Sequence, residues 1–550
     1  VADVAASSKP HIIHILADDF GWADVGYHRE KGDSDVQTPN LDALARSGIE
    51  LDRFYTYQFC SPARSAIQTG RNPIHVNVQN VNPECVNSRD VQGGFQGIPV
   101  NMTGIASHLR TAGYSTHIIG KWDVGMATFQ HHPRARGYDS WLGYWHHSND
   151  YWQHTVDHCG LRKIKDLWKY NASYDGPAWE LANGHSCSQE NQSPANEICV
   201  YEEQLLTNAV KDVIRAHDDS KPLFLFWSMH LVHMPLQVPI SYEQKFAFIK
   251  DKHRRLLHAM VHYMDDQIGD VVQLLKEREM WNHSLVVFHS DNGGEIMGAG
   301  MCGGNNWPLR GGKFSNFEGG IRVNAFVAGG LVPSSRRGAR DEGYATAWDW
   351  YATYAALAGV DPADHQAAAA GLPPHDSLNL WPWLSGQEAR SPRQEVIIGE
   401  TSASTPNSDG QAFVGGVIRG RYKLLVGVDV RKWNSMGLRQ QVSQNVMTGP
   451  KWPNTSSHLV PLLHPRRCAR DPEQGCLFDI FEDPGESTSL AAIKPDLFYE
   501  MLARVDELQK TTYSPDRGSK DMAACQKAKT QYRGYWGPWM TELKDVSILV

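Results

Sequence analysis

The sequence predicts an α/β fold with a large mixed or parallel sheet flanked by helices, followed by a smaller domain. Short apolar runs that end in polar residues alternate with amphipathic segments, which is typical of a sheet covered on both faces. After about residue 385 the pattern changes to short strands joined by turns, such as QAFVGGVIRGRYKLLVG, which indicates an antiparallel sheet. We therefore predict an α/β domain over residues 10–385 and a C-terminal domain with an antiparallel sheet and a tail over residues 390–550.

The first elements alternate in the order strand, helix, helix, strand. HIIHILADDFG (11–21) is an apolar run and predicts a buried strand. TPNLDALARSGI (38–49) predicts a helix, because threonine and proline open it and glycine closes it. GIASHLRTAGYSTHIIGKWD (104–123) predicts a helix, a glycine turn and a second buried strand.

Two further buried strands are predicted on either side of a long helix. KPLFLFWSM (221–229) and SLVVFHS (284–290) are short apolar runs, and the residues at about 253–279 have the apolar period of an amphipathic helix. QAAAAGLPPHD (366–376) is predicted to be a loop because it is rich in glycine and proline near its end.

Polar side chains follow these strands at the point where each strand ends. Ligands of open α/β sheets bind beyond the carboxyl ends of the strands. We therefore expect six polar residues, far apart in the sequence, to gather along one edge of the sheet. They are Asp18, Asp19, Lys121, His233, Asp291 and Asn292.

Four of these residues indicate a site for a hard cation. Asp18, Asp19, Asp291 and Asn292 offer only oxygen ligands, which suit Ca²⁺ or Mg²⁺ rather than Zn²⁺. Three carboxylates at one place would also repel strongly without a cation. The alternative is structural: Asp19 would cap a helix and the SDNGG segment would be a turn.

Charge and composition narrow the class of partner. The 550 residues include 53 Lys and Arg against 61 Asp and Glu, a net charge of −8. No block of basic residues indicates nucleic acid or an anionic membrane, and no apolar run has the length of a membrane span. Five Asn-x-Ser/Thr sequons favour a secretory route, extracellular or lysosomal, over a cytosolic chain with reduced thiols. The sequons begin at Asn101, Asn171, Asn191, Asn282 and Asn454.

Nine cysteines are an odd number, so one is expected to be unpaired or chemically special in a secreted protein. We predict disulfides Cys468–Cys476 and Cys85–Cys525. A zinc site at His154, His158 and Cys159 is the less favoured alternative for those residues, because a third nearby ligand is not evident.

A segment rich in histidine and aromatic residues, 131–154, has two interpretations. Its rings would either form a rim that binds sugars or pack as a loop under the sheet edge, and packing is slightly favoured. The rings are those of Trp141, Tyr144, Trp145, Tyr151 and Trp152.

The segment YQFCSPARSAIQTGR (57–71) places Cys60 at the start of a predicted helix. Helix amino termini attract anions, and Arg64 and Arg71 add positive charge. An unmodified Cys60 is therefore expected to be a nucleophile with a low pKa, whereas a lone cysteine is more often structural.

Several motifs resemble those of one family, in the family's order. CSPAR followed by TGR, LADDFGWADVG, GKWDVGM, VHMPLQVP, SDNGG, NNWPLRGGKFSNFEGGIR and LFDIFEDPGE are similar to motifs of the sulfatase family. The likeness runs from about residue 10 to about 490 and is greatest to the arylsulfatase B (N-acetylgalactosamine-4-sulfatase) type. It implies an alkaline-phosphatase-like fold and an enzyme that hydrolyses sulfate monoesters of aryl alcohols, sugars or polysaccharides.

The resemblance also implies how Cys60 would act. In sulfatases this cysteine is oxidised to Cα-formylglycine by a formylglycine-generating enzyme, and the hydrated aldehyde (a gem-diol) is the nucleophile. One Ca²⁺ per chain would be bound by Asp18, Asp19, Asp291, Asn292 and an oxygen of modified residue 60.

The family's other site residues map onto basic positions of this chain. Arg64 would hold the diol, Lys121 and Lys313 would bind the sulfate oxygens, and His233 would contact the sulfate and assist the leaving group.

One position departs from the family pattern. Sulfatases usually have GKWHLG, whereas this chain has GKWDVG, so Asp123 replaces the histidine that contacts the formylglycine hydroxyl. Asp123 would take over the base role, slow sulfate release, or mark a protein of little activity. We favour retained hydrolysis. The alternatives are a phosphonate or phosphate ester hydrolase and a weakly active or inactive protein that binds sulfated glycans.

Overall fold

A computed structural model of the chain describes residues 9–29, 35–158, 161–182, 184, 186–192, 199–296, 302–402, 410–427 and 468–540. Its main feature is a ten-stranded sheet, and the other eight strands of the described residues form three smaller sheets. The strands are, in chain order, β1 (His11–Ala17), β2 (Ile49–Tyr55), β3 (Cys85–Val86), β4 (Ser115–Gly120), β5 (Ser140–Gly143), β6 (Thr155–His158), β7 (Leu161–Lys165), β8 (Trp168–Asn171), β9 (Tyr174–Pro177), β10 (Leu223–Ser228), β11 (Ser284–Ser290), β12 (Ala325–Ala328), β13 (Ala339–Thr346), β14 (Glu395–Thr401), β15 (Ala412–Arg419), β16 (Tyr422–Leu425), β17 (Cys476–Asp479) and β18 (Ser519–Lys520).

The large sheet has the order β13-β2-β12-β11-β1-β10-β4-β5-β8-β9. Its centre, β11-β1-β10-β4-β5, is parallel throughout, while β12 and the β8-β9 edge run antiparallel to their neighbours. The sheet is therefore mixed, as the sequence predicted, and the carboxyl ends of its central strands meet at one edge.

The helices of the described residues cover both faces of this sheet and pack on the smaller antiparallel sheet described below. They are α1 (Pro39–Ser47), α2 (Cys60–Thr69), α3 (Ile105–Thr111), α4 (Glu202–Ala216), α5 (Ile240–Lys245), α6 (Lys252–Glu277), α7 (Glu318–Ile321), α8 (Trp350–Ala358), α9 (His365–Ala369), α10 (Trp381–Leu384), α11 (Pro495–Gln509) and α12 (Met522–Thr530).

Alternate side chains of the central strand β1 enter two different hydrophobic cores. Ile12 and Leu16 pack in the core that α3 and α8 cover, whereas Ile13 and Ile15 pack in the core that α1, α4 and α6 cover. A strand buried on both faces has a continuous apolar run rather than an alternating one. This explains why HIIHILA could be recognised in the sequence.

One predicted loop contains a short helix instead. Residues 366–376 were predicted as a loop, but α9 begins at His365 and continues through the alanines. The Asp364 side chain accepts a hydrogen bond from the Ala367 N–H and caps the helix. Alanine has the highest helix propensity, so this cap is sufficient to start one turn.

The antiparallel sheet predicted near the carboxyl terminus is present. Its order is β14-β15-β16-β17, and every neighbouring pair is antiparallel. Helix α11 packs Phe498 and Met501 against Val414 and Leu424 of this sheet. The boundaries at 10–385 and 390–550 stay a prediction.

The tail after this sheet returns to the large sheet. Strand β18 pairs with β3, and the Trp536 N–H donates to the Lys165 carbonyl at 2.9 Å. Trp536 and Trp539 lie in the same core as α3 and α8. Residues 519–540 therefore help to complete the core of the main domain.

One of the two predicted disulfides is confirmed and the other is wrong. Cys468–Cys476 is present as predicted, and Cys187–Cys199 is a further disulfide. The predicted Cys85–Cys525 bond is wrong: Cys525 is disulfide-bonded, but Cys85 is not its partner. The residue that lies opposite Cys85 in the β3–β18 pair is Lys520, whereas Cys525 lies in the following helix, α12. Within the described ranges, no helix is long and apolar enough to cross a membrane.

We predict that Trp536→Ala lowers stability strongly. Trp536 is 1% exposed, and truncating a buried tryptophan typically costs about 3–5 kcal/mol. Met522→Ala, at a side chain that is 60% exposed, is the control and should change stability little. The midpoint of urea unfolding measures both, and equal midpoints for the two variants would show that the tail does not contribute to the core.

Candidate active site

The topology gathers the predicted polar residues at one edge of the large sheet. Asp18 and Asp19 directly follow β1, Asp291 and Asn292 follow β11, and Lys121 follows β4. His233 lies in the loop after β10. Because β11, β1, β10 and β4 are parallel neighbours, their carboxyl ends place all six residues together.

Each of the two adjacent aspartates binds a lysine. Lys121 Nζ donates to Asp18 Oδ2 at 2.7 Å, and Lys313 Nζ donates to Asp19 Oδ2 at 2.7 Å. All four side chains are buried. Burial alone would lower the pKa of each lysine, but the aspartate beside it raises the pKa above the ordinary value, so both lysines are charged.

Arg64 lies between the carboxylates of two strand ends. Its Nη2 is 3.2 Å from Asp18 Oδ2 and 2.8 Å from Asp291 Oδ2, and its Nη1 donates to Ser228 Oγ at 2.6 Å. Burial and the nearby Asp18 carboxylate raise the pKa of Asp291, although Arg64 opposes this. The guanidinium group therefore keeps two buried carboxylates from repelling each other.

The donor set fits a hard cation. Asn292 Nδ2 donates to Asp19 Oδ1 at 2.7 Å, while Asn292 Oδ1 is buried and has no hydrogen-bond partner among the described residues. Asp18, Asp19, Cys60 and His233 also offer ligand atoms that lie within 4.8 Å of one another. A buried amide oxygen without a partner next to carboxylate oxygens is suited to Ca²⁺ or Mg²⁺.

Cys60 is the first residue of α2 and lies against this cluster. Its side chain is 1% exposed, and its thiol donates to Asp18 Oδ1 at 3.6 Å. The prediction of a low pKa for this thiol is wrong. Burial raises the pKa of Cys60 well above its ordinary value, and this outweighs the opposite effect of Lys121 and Lys313. An unmodified Cys60 would therefore remain a neutral thiol.

His233 faces the cluster from the loop after β10. Its Nε2 lies 3.6 Å from Asp19 Oδ2, and its Nδ1 is 2.6 Å from the Met234 carbonyl oxygen. Burial, together with Lys313 and Lys121, lowers the pKa of His233 well below its ordinary value. The ring is therefore neutral, with Nδ1–H donating to Met234 and Nε2 directed at the site.

Asp123 contacts Ser61 and lies near Lys121. Its Oδ1 accepts a hydrogen bond from Ser61 Oγ at 2.8 Å, and its Oδ2 is 3.8 Å from Lys121 Nζ. Burial raises the pKa of Asp123 to about 6, although Lys121 and Arg64 oppose the shift. Asp123 is thus a buried carboxyl group that is ionised at neutral pH and is held by a residue next to Cys60.

Other residues considered in the sequence are not members of this charged cluster. Arg71 pairs with Asp364 at 2.9 Å and does not contribute positive charge at Cys60. The five aromatic rings of residues 141–152 are buried, so they pack rather than form an exposed rim. His158 binds Glu84 at 2.7 Å, and Cys159 lies outside the described residues. Among the described residues the zinc alternative gains no metal-ligand group.

Two supporting residues were not recognised in the sequence. Ser61, next to Cys60, holds Asp123, and Glu203 binds the loop that carries His233. Serine and glutamate are mostly exposed in proteins, so neither Ser61 nor Glu203 attracts attention as a residue type. Only the long-range contacts distinguish them, so no sequence signal could have found them.

These features together define a class of protein. The site has buried carboxylates that fit a divalent cation, two charged lysines and, at the start of α2, the side chain of Cys60. Such a site is suited to an anionic tetrahedral group and would stabilise negative charge as an ester bond breaks. Fold and site together therefore define a hydrolase of anionic esters.

The chain belongs to the sulfatase family. The family model "Sulfatase" matches residues 10–360. Mouse arylsulfatase J is 31% identical over 98% of this chain and 82% of its own length. Human N-acetylgalactosamine-6-sulfatase is 31% identical over 69% of this chain and 66% of its own length. The likeness to sulfatases seen in the motifs is thus confirmed, while the arylsulfatase B subtype stays a prediction.

Solved structures share the fold over almost the whole chain. The crystal structure of Ps i-CgsB in complex with k-i-k-neocarrahexaose has a TM-score of 0.68 at 24% identity, and the match covers 99% of this chain and 100% of that chain. The PsFucS1 sulfatase from Pseudoalteromonas sp. has a TM-score of 0.62 at 23% identity and covers 92% of both chains. At these identities the likeness supports the fold alone, an α/β sulfatase fold with a small antiparallel sheet.

We predict that Arg64→Met destabilises the protein and makes its stability depend more strongly on Ca²⁺. Removing one partner of a buried ion pair costs about 3–5 kcal/mol, because it leaves buried charge uncompensated. A divalent cation can replace part of the lost positive charge between Asp18 and Asp291. Thermal unfolding with Ca²⁺ and with EDTA measures the difference.

Arg71→Met is the matched control for this experiment. Arg71 is also a buried arginine in an ion pair, but its partner Asp364 is not part of the carboxylate cluster. Ca²⁺ should raise the unfolding temperature of Arg64→Met more than that of Arg71→Met. Equal effects on the two variants would contradict the assignment of the cluster to a cation.

Proposed function

We propose that the chain hydrolyses sulfate monoesters of sugars or polysaccharides, with Ca²⁺ as cofactor and residue 60 as formylglycine. One observation carries this proposal. Lys121 and Lys313 are both buried and charged, each binds one of two adjacent aspartates, and both act electrostatically on Cys60. Two cations near residue 60 suit an anion with several oxygens better than a neutral substrate.

Each basic side chain has a separate part in this proposal. Lys121 and Lys313 bind sulfate oxygens and stabilise the charge that develops on them. Arg64 orients residue 60 and balances Asp18 and Asp291, from which it lies 3.2 and 2.8 Å. His233 contacts the sulfate through Nε2 and assists departure of the alcohol. The negative charge of the sulfate monoester would offset the lysines that lower the pKa of His233, so that Nε2 takes up a proton from solvent and can donate it to the leaving alcohol.

The residues that would hold Ca²⁺ are Asp18, Asp19, Asp291 and Asn292, with an oxygen of modified residue 60. A bound Ca²⁺ would polarise the nucleophile and neutralise charge on the sulfate. Asn292 Oδ1 supports this assignment, because it is buried and has no protein partner among the described residues.

Formylglycine at residue 60 would supply a hydrated aldehyde hydroxyl as nucleophile. The high pKa of the unmodified thiol agrees with this proposal, since a neutral Cys60 would be a poor nucleophile. A formylglycine-generating enzyme is then a required partner during maturation.

Asp123 is the base that this chain has in place of the usual histidine. Ser61 fixes its Oδ1 at 2.8 Å, and Oδ2 has no hydrogen-bond partner among the described residues and is available to accept a proton. Burial raises the pKa of Asp123 to about 6, which makes the carboxylate a stronger base than an exposed aspartate.

The proposed substrate class and location rest on relatives and on sequence motifs. Relatives named for N-acetylgalactosamine 6-sulfate hydrolysis and a fold neighbour solved with neocarrahexaose favour a sulfated glycan. The disulfides Cys187–Cys199 and Cys468–Cys476 favour the secretory pathway, with an extracellular or lysosomal destination, and so do the exposed sequon residues Asn191 and Asn282.

We predict that Cys60→Ala abolishes turnover of an aryl sulfate but retains Ca²⁺ binding, because the nucleophile is lost and the aspartates remain. Cys85→Ala, at another buried cysteine, should retain activity. Intact mass of the residue-60 peptide tests for the aldehyde in the wild-type protein. Substantial turnover by Cys60→Ala would exclude the covalent route, and faster turnover of a phosphonate ester than of its sulfate analogue would favour the alternative hydrolase.

We predict that Asp123→Asn removes the acid limb of the pH profile. With a pKa of about 6, Asp123 is protonated at lower pH and cannot accept a proton, so wild-type kcat/KM should fall as pH drops through about 6. The asparagine keeps the Ser61 bond but cannot ionise, and activity should fall by about 10²–10⁴-fold. Asp270→Asn, at an exposed aspartate paired with Lys211, is the control. An unchanged acid limb in Asp123→Asn would assign that limb to another group.

A further inference from the structure

A buried glutamate binds the loop that carries His233. Glu203 is the second residue of α4, and its side chain has no exposed surface. Its Oε1 accepts hydrogen bonds from the His230 N–H at 2.6 Å and from the Leu231 N–H at 3.2 Å. One carboxylate oxygen therefore fixes two consecutive peptide groups at the start of the loop.

The same loop fixes the backbone of Asp18 on both sides. The Asp18 N–H donates to the Leu231 carbonyl at 2.8 Å, and the Val232 N–H donates to the Asp18 carbonyl at 2.7 Å. These bonds continue the pairing of β1 with β10 beyond Met229, whose N–H donates to the Leu16 carbonyl at 3.0 Å. A displacement of residues 230–232 would therefore displace the Asp18 carboxylate.

The end of the loop places His233 against Asp19. His233 Nε2 is 3.6 Å from Asp19 Oδ2. The Tyr151 hydroxyl lies 2.8 Å from the His230 carbonyl oxygen and 2.9 Å from the His233 carbonyl oxygen. Glu203 binds the N–H groups of the loop and Tyr151 its carbonyl groups, so the loop is held from two directions.

The second carboxylate oxygen of Glu203, Oε2, makes no such bond to any described residue. It is buried, and an unsatisfied buried oxygen costs free energy. A buried group without a partner in a native structure calls for an explanation.

We propose that Glu203 is a positioning residue that sets the placement of Asp18 and His233 through residues 230–233. The inference rests on the proposed function, in which Asp18 binds Ca²⁺ and His233 contacts sulfate. Removing a group that supports a metal ligand from behind typically lowers metal affinity by about 10–100-fold.

The test is calorimetric titration of Ca²⁺ into the chelator-treated full-length protein, which needs no activity. Glu203→Ala should weaken Ca²⁺ binding by about 10–100-fold, because the loop and Asp18 lose their support. Glu203→Gln should bind Ca²⁺ nearly as tightly as the wild type, since its amide oxygen can accept the same two N–H bonds. If Glu203→Ala does not fold, Glu203→Asp gives the same comparison, because its shorter side chain cannot reach both N–H groups.

Asp265→Ala separates positioning from general stabilisation. Asp265 is also a fully buried carboxylate that accepts two consecutive backbone N–H groups, those of Asn40 at 3.1 Å and Leu41 at 2.7 Å. It binds the start of α1 and contacts no proposed metal ligand. Its removal should lower the unfolding temperature and leave Ca²⁺ affinity unchanged.

Three outcomes would overturn the inference while leaving the proposed function intact. They are unchanged Ca²⁺ affinity in Glu203→Ala, equal losses in Glu203→Ala and Asp265→Ala, and equal losses in Glu203→Ala and Glu203→Gln. Failure of the wild-type protein itself to bind Ca²⁺ would instead refute the proposed metal site and the inference with it.

Discussion

Three carboxylates at two neighbouring strand ends can be buried together only because three cations lie among them. Asp18, Asp19 and Asp291 are taken out of water, where charge is costly, and Lys121, Lys313 and Arg64 restore most of the balance. Each cation is paired with a neighbouring carboxylate, so it is already desolvated and oriented before an anion arrives. Charged groups that are already fixed in place need little reorganisation, which is the usual basis of electrostatic catalysis.

The small domain supports this site although it contributes no member of the charged cluster. Glu400 of β14 accepts hydrogen bonds from Gln58 at 3.1 Å and Asn316 at 3.0 Å. Gln58 lies two residues before Cys60, and its carbonyl accepts the Phe314 N–H at 2.7 Å, next to Lys313. The segments that carry Cys60 and Lys313 are thus joined to each other and to the antiparallel sheet.

The sequence was informative where local pattern and topology agree. Asp18 and Asp291 could be placed together because apolar runs of parallel strands end immediately before them. It failed where an outcome depends on distant packing. The pKa of Cys60 depends on how much of the fold closes over α2, and the pairing of Cys85 depends on strand register. Glu203 was missed because helix starts are often acidic without being buried.

The depth of residue 60 restricts the order of events during synthesis. With a side chain only 1% exposed, Cys60 cannot be reached by another enzyme once α2 has packed. The core receives Trp536 and Trp539 only when the last part of the chain is available. Trp536 and Trp539 therefore complete this core only after most of the polypeptide has been made, and any enzyme that modifies Cys60 would have to act before α2 packs.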